Sequence, residues 1–163
     1  MVIRNMKPSD WEEVARIYLE GIATGFATFE TKAPTYEHWD KAHTKECRLI
    51  AENDGETMGW AALSPVSSRC VYGGVGEVSV YISDKSRGKG VGKLLMRHLI
   101  DKSENAGFWT IQSGIFPENM GSIKLHEKMG FRYIGKRERV GKIHGVWKDN
   151  LLFEKRSSKV GID

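Results

Sequence analysis

Val78-Ser79-Val80-Tyr81-Ile82-Ser83-Asp84-Lys85-Ser86-Arg87-Gly88-Lys89-Gly90-Val91-Gly92-Lys93-Leu94-Leu95 passes from an alternating apolar strand, through three closely spaced glycines, into an amphipathic helix. Glycines at alternate positions let the backbone turn tightly and bring its N–H groups close to a ligand. The start of the following helix adds the positive end of its dipole, so a pyrophosphate fits the junction. A nucleotide-hydrolase loop would need G-x-x-x-x-G-K-[ST], but Lys93 is followed by Leu94. A dinucleotide fingerprint would need G-x-G-x-x-G, whereas the glycines here are Gly88, Gly90 and Gly92. Lys85, Arg87, Lys89, Lys93 and Arg97 gather around this loop, with Lys93 and Arg97 one helical turn apart.

Working outward, the chain reads as one domain over residues 1–163, with 155–163 expected to fray. Its 163 residues, 40% of them hydrophobic, suffice for one core and are few for two. No apolar run is long enough for a membrane span and no signal-peptide pattern opens the chain, so a cytoplasmic protein is expected. The formal charge of +4 is small and not gathered into a long basic run, which argues against a nucleic-acid partner, as does the lack of an aromatic-basic stacking motif. Cys47 and Cys70 form no C-x-x-C, so no metal or disulfide is expected and both read as buried thiols.

A first strand over Val2 to Met6 is followed by Ser9 and Glu12 as a capping box, and by a helix with Trp11, Val14, Ala15, Tyr18 and Ile22 inward. Gly21 and Gly25 are expected to loosen its end. A short helix from Thr35 to about Lys45 follows. Arg48–Glu52 and Met58–Val66 read as a hairpin turning on Asn53-Asp54-Gly55. Then come the strand Glu77–Ile82, the helix Val91–Ala106 closed by Gly107, the strand Trp109–Ile115, a helix over about Met120–Met129, and two last strands near Phe131–Val140 and Val146–Glu154.

Arg-x-x-Gly-x-Gly at Arg87, Gly90 and Gly92, together with Pro117-Glu118-Asn119-x-x-Ser122-x-x-Leu125-His126-Glu127-Lys128-Met129-Gly130-Phe131, resembles the two cofactor motifs of the GCN5-related N-acetyltransferases (GNAT). The element order βααβββαβαββ resembles that family along nearly the whole chain. The resemblance implies an α/β (α+β) fold with a mixed, mostly antiparallel sheet flanked by helices, and acetyl-CoA as cosubstrate. It also implies that amides of Gly88, Lys89, Gly90, Val91, Gly92 and Lys93 hold the pyrophosphate beside Arg87. The main chain of Val80, Tyr81 and Ile82 would meet the pantetheine arm, with Asn119 and Ser122 contacting the cofactor from their helix. In the family's commoner form a Tyr holds the place of His126 and protonates the departing thiolate; imidazole can also act as an acid.

Two further strings, Glu77-Val78-Ser79-Val80-Tyr81-Ile82 and Lys142-Ile143-His144-Gly145-Val146-Trp147, are similar to the phosphinothricin and methionine sulfoximine acetyltransferase branch. That likeness implies Glu77 as general base and His144 as a substrate-side or base-assisting residue. A free amino-acid acceptor carries a carboxylate and calls for a forked cation, for which Arg69 is the candidate, with Tyr72 adding a hydroxyl and Phe29 a wall. Members of the branch are commonly dimers, so a homodimer is expected, with Trp147 and Phe153 as exposed aromatics. Acetylation of a polyamine, an aminoglycoside or a protein N-terminus, and a coenzyme A sensor without turnover, are the competing readings.

Overall fold

The computed structural model describes residues 1–163. Seven strands, β1 (Val2–Asn5), β2 (Arg48–Asn53), β3 (Glu56–Pro65), β4 (Val75–Ile82), β5 (Thr110–Ile115), β6 (Arg132–Ile143) and β7 (Val146–Arg156), form one sheet in the order β1-β2-β3-β4-β5-β7-β6. Every neighbouring pair is antiparallel except β4 with β5. Helices α1 (Trp11–Ala23), α2 (Tyr36–Ala42), α3 (Val91–Asn105) and α4 (Met120–Lys128) cover it. No helix is long and apolar enough to cross a membrane.

The period-two alternation of each strand divides the core between the two sheet faces. Under α3, Leu49, Ala51, Ala61, Leu63 and Val78 meet Val91, Leu95, Met96 and Leu99, all buried. Fully buried aliphatic side chains of this kind each contribute about 1.5–3 kcal/mol relative to exposure. On the opposite face Val14 and Ile17 of α1 and Trp39 of α2 pack on Ile50, Trp60 and Ala62. Tyr81 extends this second cluster along β4, stacked on Trp60 with ring centroids 4.9 Å apart and edge-on to Tyr18 at 4.9 Å.

The hairpin at Asn53-Asp54-Gly55 forms as read, with Asp54 and Gly55 at φ 50° and 79°. Several other expectations change. Ser9 lies in a 3-10 turn, Pro8–Asp10, and Asp10 takes the capping role by accepting from the Lys7 N–H at 2.7 Å and pairing with Arg4 at 2.8 Å. A longer carboxylate that bridges two groups displaces the Ser9–Glu12 box. Gly21 does not loosen α1: a Cβ there would lie 2.7 Å from Tyr81 Cδ1, so glycine lets the helix lie against that ring. Phe153 is buried at 3% exposure, whereas Trp147 is exposed. Cys47 is buried, but Cys70 is exposed in a short turn before β4. The tail expected to fray is tied down, since β7 continues to Arg156 and Ser157 N–H donates to Trp109 O at 2.8 Å.

Candidate active site

β4 and β5 share only three register pairs, Val75↔Thr110, Gly76↔Ile111 and Glu77↔Gln112. Beyond Glu77 the two strands part, because β5 stays paired with β7 along its whole length while β4 stays with β3 as far as Gly59↔Ile82. The main chain of Val78–Ile82 therefore has a partner on one side only, and a gap opens between two otherwise adjacent strands. An extended ligand can add to such an edge as a further strand would. Glu77 stands at the mouth of this gap, exposed, in register with Ser64 on β3.

The far end of β4 leads to the glycine loop through a 3-10 turn, Asp84–Ser86. Ser83 Oγ donates to Ser86 Oγ at 2.8 Å, both buried, and Asp84 N–H donates to Glu20 Oε2 of α1 at 2.7 Å. Gly88 and Gly90 have φ of 75° and 80°, and a Cβ at either would meet nothing within 4 Å. Both are glycine because of the backbone, while their outer side stays clear for a ligand. Gly92 differs, since a Cβ there would sit 3.2 Å from Leu125 Cδ2; it admits α4 against α3 and leaves the turn to the other two. The first backbone bond into α3 is Leu94 N–H to Gly90 O at 3.2 Å, so the N–H groups of Val91, Gly92 and Lys93 lack an acceptor inside the helix. These orphan donors, at the positive end of a 15-residue helix, fit a diphosphate.

Of the five cations around the loop, Lys85 pairs with Glu56 and Arg87 with Asp84 at 2.8 Å. Lys89, Lys93 and Arg97 have no carboxylate within 4.0 Å and remain free for an anion.

On α4, Asn119 is the N-cap, its Oδ1 accepting from Ser122 N–H at 3.2 Å, which fixes the start of the helix that flanks the gap. His126 is 3% exposed and edge-on to Phe131 at 4.8 Å. Its Nδ1 lies 2.7 Å from Ser122 O, an atom that can only accept, so the proton sits on Nδ1. Nε2 is then a bare lone pair, buried without a partner, and burial lowers the imidazole pKa. The group is neutral at physiological pH and packs inward.

The residues expected to meet the acceptor come from loops. Phe29, between α1 and α2, is edge-on to Phe116 at 4.7 Å, and a Cβ on Gly141 of β6 would come within 2.7 Å of its ring. Tyr18 Oη and Thr28 Oγ1 stand 3.5 Å apart, and burial raises the Tyr81 pKa far above the ordinary phenol range. Arg69 lies in the turn before β4, exposed and free of carboxylates, with Cζ 5.6 Å from the Tyr72 ring centroid. His144 occupies the tip of the β6–β7 hairpin at φ 49°, followed by Gly145 at 80°, exposed and three residues beyond the Gly141 seat of Phe29. Sequence reasoning missed that seat, because a glycine inside a strand does not reveal which distant ring will occupy it.

The sequence profile of the Acetyltransferase (GNAT) family matches residues 11–131, from the start of α1 through α4. This chain belongs to the GNAT family. Its membership accounts for both the gap in the sheet and the glycine loop, and makes the protein an acetyltransferase. The phosphinothricin N-acetyltransferase of Streptomyces viridochromogenes is 30% identical over 90% of this GNAT chain and 82% of its own. The L-methionine sulfoximine/L-methionine sulfone acetyltransferase of Pseudomonas aeruginosa is 35% identical over 62% of this chain and 59% of its own. Among solved structures, a GNAT phosphinothricin acetyltransferase from Sinorhizobium meliloti in complex with AcCoA superposes with a TM-score of 0.89 at 26% identity, covering 99% of this chain and 91% of that one.

Proposed function

We propose that this acetyltransferase moves the acetyl group of acetyl-CoA to the α-amine of a small amino-acid analogue such as phosphinothricin or methionine sulfoximine/sulfone, within a ternary complex. The reading rests on the position of Glu77 at the mouth of the β4–β5 gap, and on relatives whose names carry these two acceptors. Acetyl-CoA supplies the thioester carbonyl. The amides of Gly88–Lys93 and the free Lys89, Lys93 and Arg97 hold its diphosphate end, and the unpaired main chain of Val80–Ile82 aligns its arm. Glu77 takes the proton of the acceptor amine, directly or through water, as the nitrogen attacks. A β4 N–H stabilises the developing oxyanion. The carbon–sulfur bond breaks and coenzyme A leaves as the thiol, with solvent supplying its proton. His126 has no proton on Nε2 to give, so it receives no part in this step.

Arg69 pairs with the acceptor carboxylate, Tyr72 adds its hydroxyl, Phe29 closes the wall, and His144 serves from the hairpin side. No acyl-enzyme takes part: neither cysteine lies in a recognisable nucleophile motif, burial pushes the Cys47 thiol up to about 11, and the ternary complex brings amine and thioester together by proximity alone. The protein works in the cytoplasm as a homodimer, a state supported by Val140, Val146 and Trp147 lying exposed on the projecting hairpin. Incubation with acetyl-CoA and phosphinothricin tests the function: free thiol should appear in step with N-acetylated product. Tight acetyl-CoA binding without transfer to any of a broad panel of amines would overturn it.

A further inference from the structure

The segment beyond β7 is held by several hydrogen bonds that fold it on itself and fasten it to the main chain of Trp109 and to Glu104. Arg156 Nη1 donates to Trp109 O at 3.2 Å, Ser157 O at 2.9 Å and Val160 O at 2.7 Å, and Nη2 donates to Gly161 O at 2.5 Å. One guanidinium thus curls residues 157–161 into a closed turn. Ser157 adds a bond from Oγ to Glu104 Oε1 at 2.8 Å, which anchors the turn to the end of α3. Gly161, at φ 64°, brings the turn over Trp109, where a Cβ would lie 3.2 Å from the Trp109 Cβ.

The other side of Trp109 faces the start of β4. A Cβ on Gly74 would stand 2.1 Å from Trp109 Cε3, so the indole lies against the bare α-carbon of that glycine. Gly74 O accepts from both Trp109 N–H at 2.9 Å and Thr110 N–H at 3.2 Å. From this fastening only the three parallel pairs of β4 with β5 follow before the strands part, and Glu77 makes the last of them. A glycine seat, a fixed indole and a short run of pairs leave the depth of Glu77 in the gap set by what lies behind Trp109.

We propose that the C-terminal turn, Arg156–Gly161, is a positioning clamp: it holds Trp109 on Gly74 and thereby sets where the Glu77 carboxylate meets the acceptor amine. The inference rests on Glu77 being the base. Bases displaced by a fraction of an ångström keep the fold and the cofactor but lose alignment, which appears in turnover first.

The test is a cycle of four chains: the full protein, the chain ending at Arg156, Glu77→Gln, and the two changes together, assayed with acetyl-CoA and phosphinothricin. Removal of 157–163 should lower kcat about tenfold with less than about a twofold change in KM for acetyl-CoA. It should have little further effect in the Glu77→Gln background, because the carboxylate that it positions is gone. An equal loss in both backgrounds would overturn the clamp and leave a merely structural tail. A normal rate for Glu77→Gln alone would instead overturn the base assignment, a separate outcome. Should the shortened chain not fold, Arg156→Ala, which keeps the full length, gives the same comparison. Arg156→Lys, with fewer donors, should restore part of the rate.

Discussion

The proposed cofactor side and the proposed acceptor side of this molecule are built on different principles. The cofactor side uses main chain: an unpaired strand edge at Val78–Ile82, two glycines at positive φ, and orphan amides at the head of α3. The proposed acceptor side uses side chains from two loops and a hairpin, Phe29, Arg69, Tyr72 and His144, with Phe29 seated by Phe116 and Gly141 far along the chain and Arg69 against its near neighbour Tyr72. Backbone recognition is indifferent to most substitutions, so one loop can serve a family, whereas the side-chain wall is free to change with the acceptor.

That division can be broken most severely where the two sides meet. Glu77→Gln should lower kcat by about 100-fold or more while leaving acetyl-CoA affinity by calorimetry nearly intact, as expected for a lost general base. A loss of affinity instead would place Glu77 on the cofactor side. On that side, Gly90→Ala forces a side chain into left-handed backbone at a cost of about 1–2 kcal/mol. It should raise KM for acetyl-CoA about tenfold and spare KM for the acceptor. Gly92→Ala, where only Leu125 must yield, should change it less. On the acceptor side, Arg69→Ala should raise KM for phosphinothricin several-fold, about 1 kcal/mol for an exposed charged contact, and leave KM for acetyl-CoA unchanged. If both constants rise, the separation fails.

The smallest effect is on stability. Burial lowers the pKa of His43 and His126, so the unfolded chain binds more protons than the folded one once pH falls below the ordinary value of about 6.5. Stability from these groups is complete above that value and is lost as pH falls through their folded pKa values. Melting temperature should drop between pH 7.5 and 5.5 by about 2–4 °C per kcal/mol lost. His126→Asn, which keeps a donor toward Ser122 O, should flatten that slope; an unchanged slope would mean that the imidazole is not responsible.

The same division explains what could be read from sequence. The strand-loop-helix from Val78 to Leu95 is a local pattern, and the tight turn at positive φ through Gly88 and Gly90 follows from it. The turn at Asp54-Gly55 is equally local. The inward turn of His126 was not legible: its spacing with Asn119 and Ser122 puts all three on one face, but only the tertiary packing of Phe131 and Phe153 decides that this position faces the core. Gly21 reads as flexibility and is in fact the seat for Tyr81, while Gly141, which seats Phe29, carries no signal in the sequence at all. The tail misled because its polar composition resembles a loose end, while Arg156 finds four carbonyls that no local pattern announces.

β6 is the last strand of the sheet, and its outer edge offers unpaired backbone to any other strand that approaches. The hairpin it forms with β7 carries eight cations, Arg132, Lys136, Arg137, Arg139, Lys142, Lys148, Lys155 and Arg156, against three carboxylates, Glu138, Asp149 and Glu154. Two like-charged borders brought side by side repel, which guards this rim against runaway sheet extension into fibrils. Strand-to-strand addition along this edge is therefore disfavoured, whatever contact the exposed face of the hairpin makes.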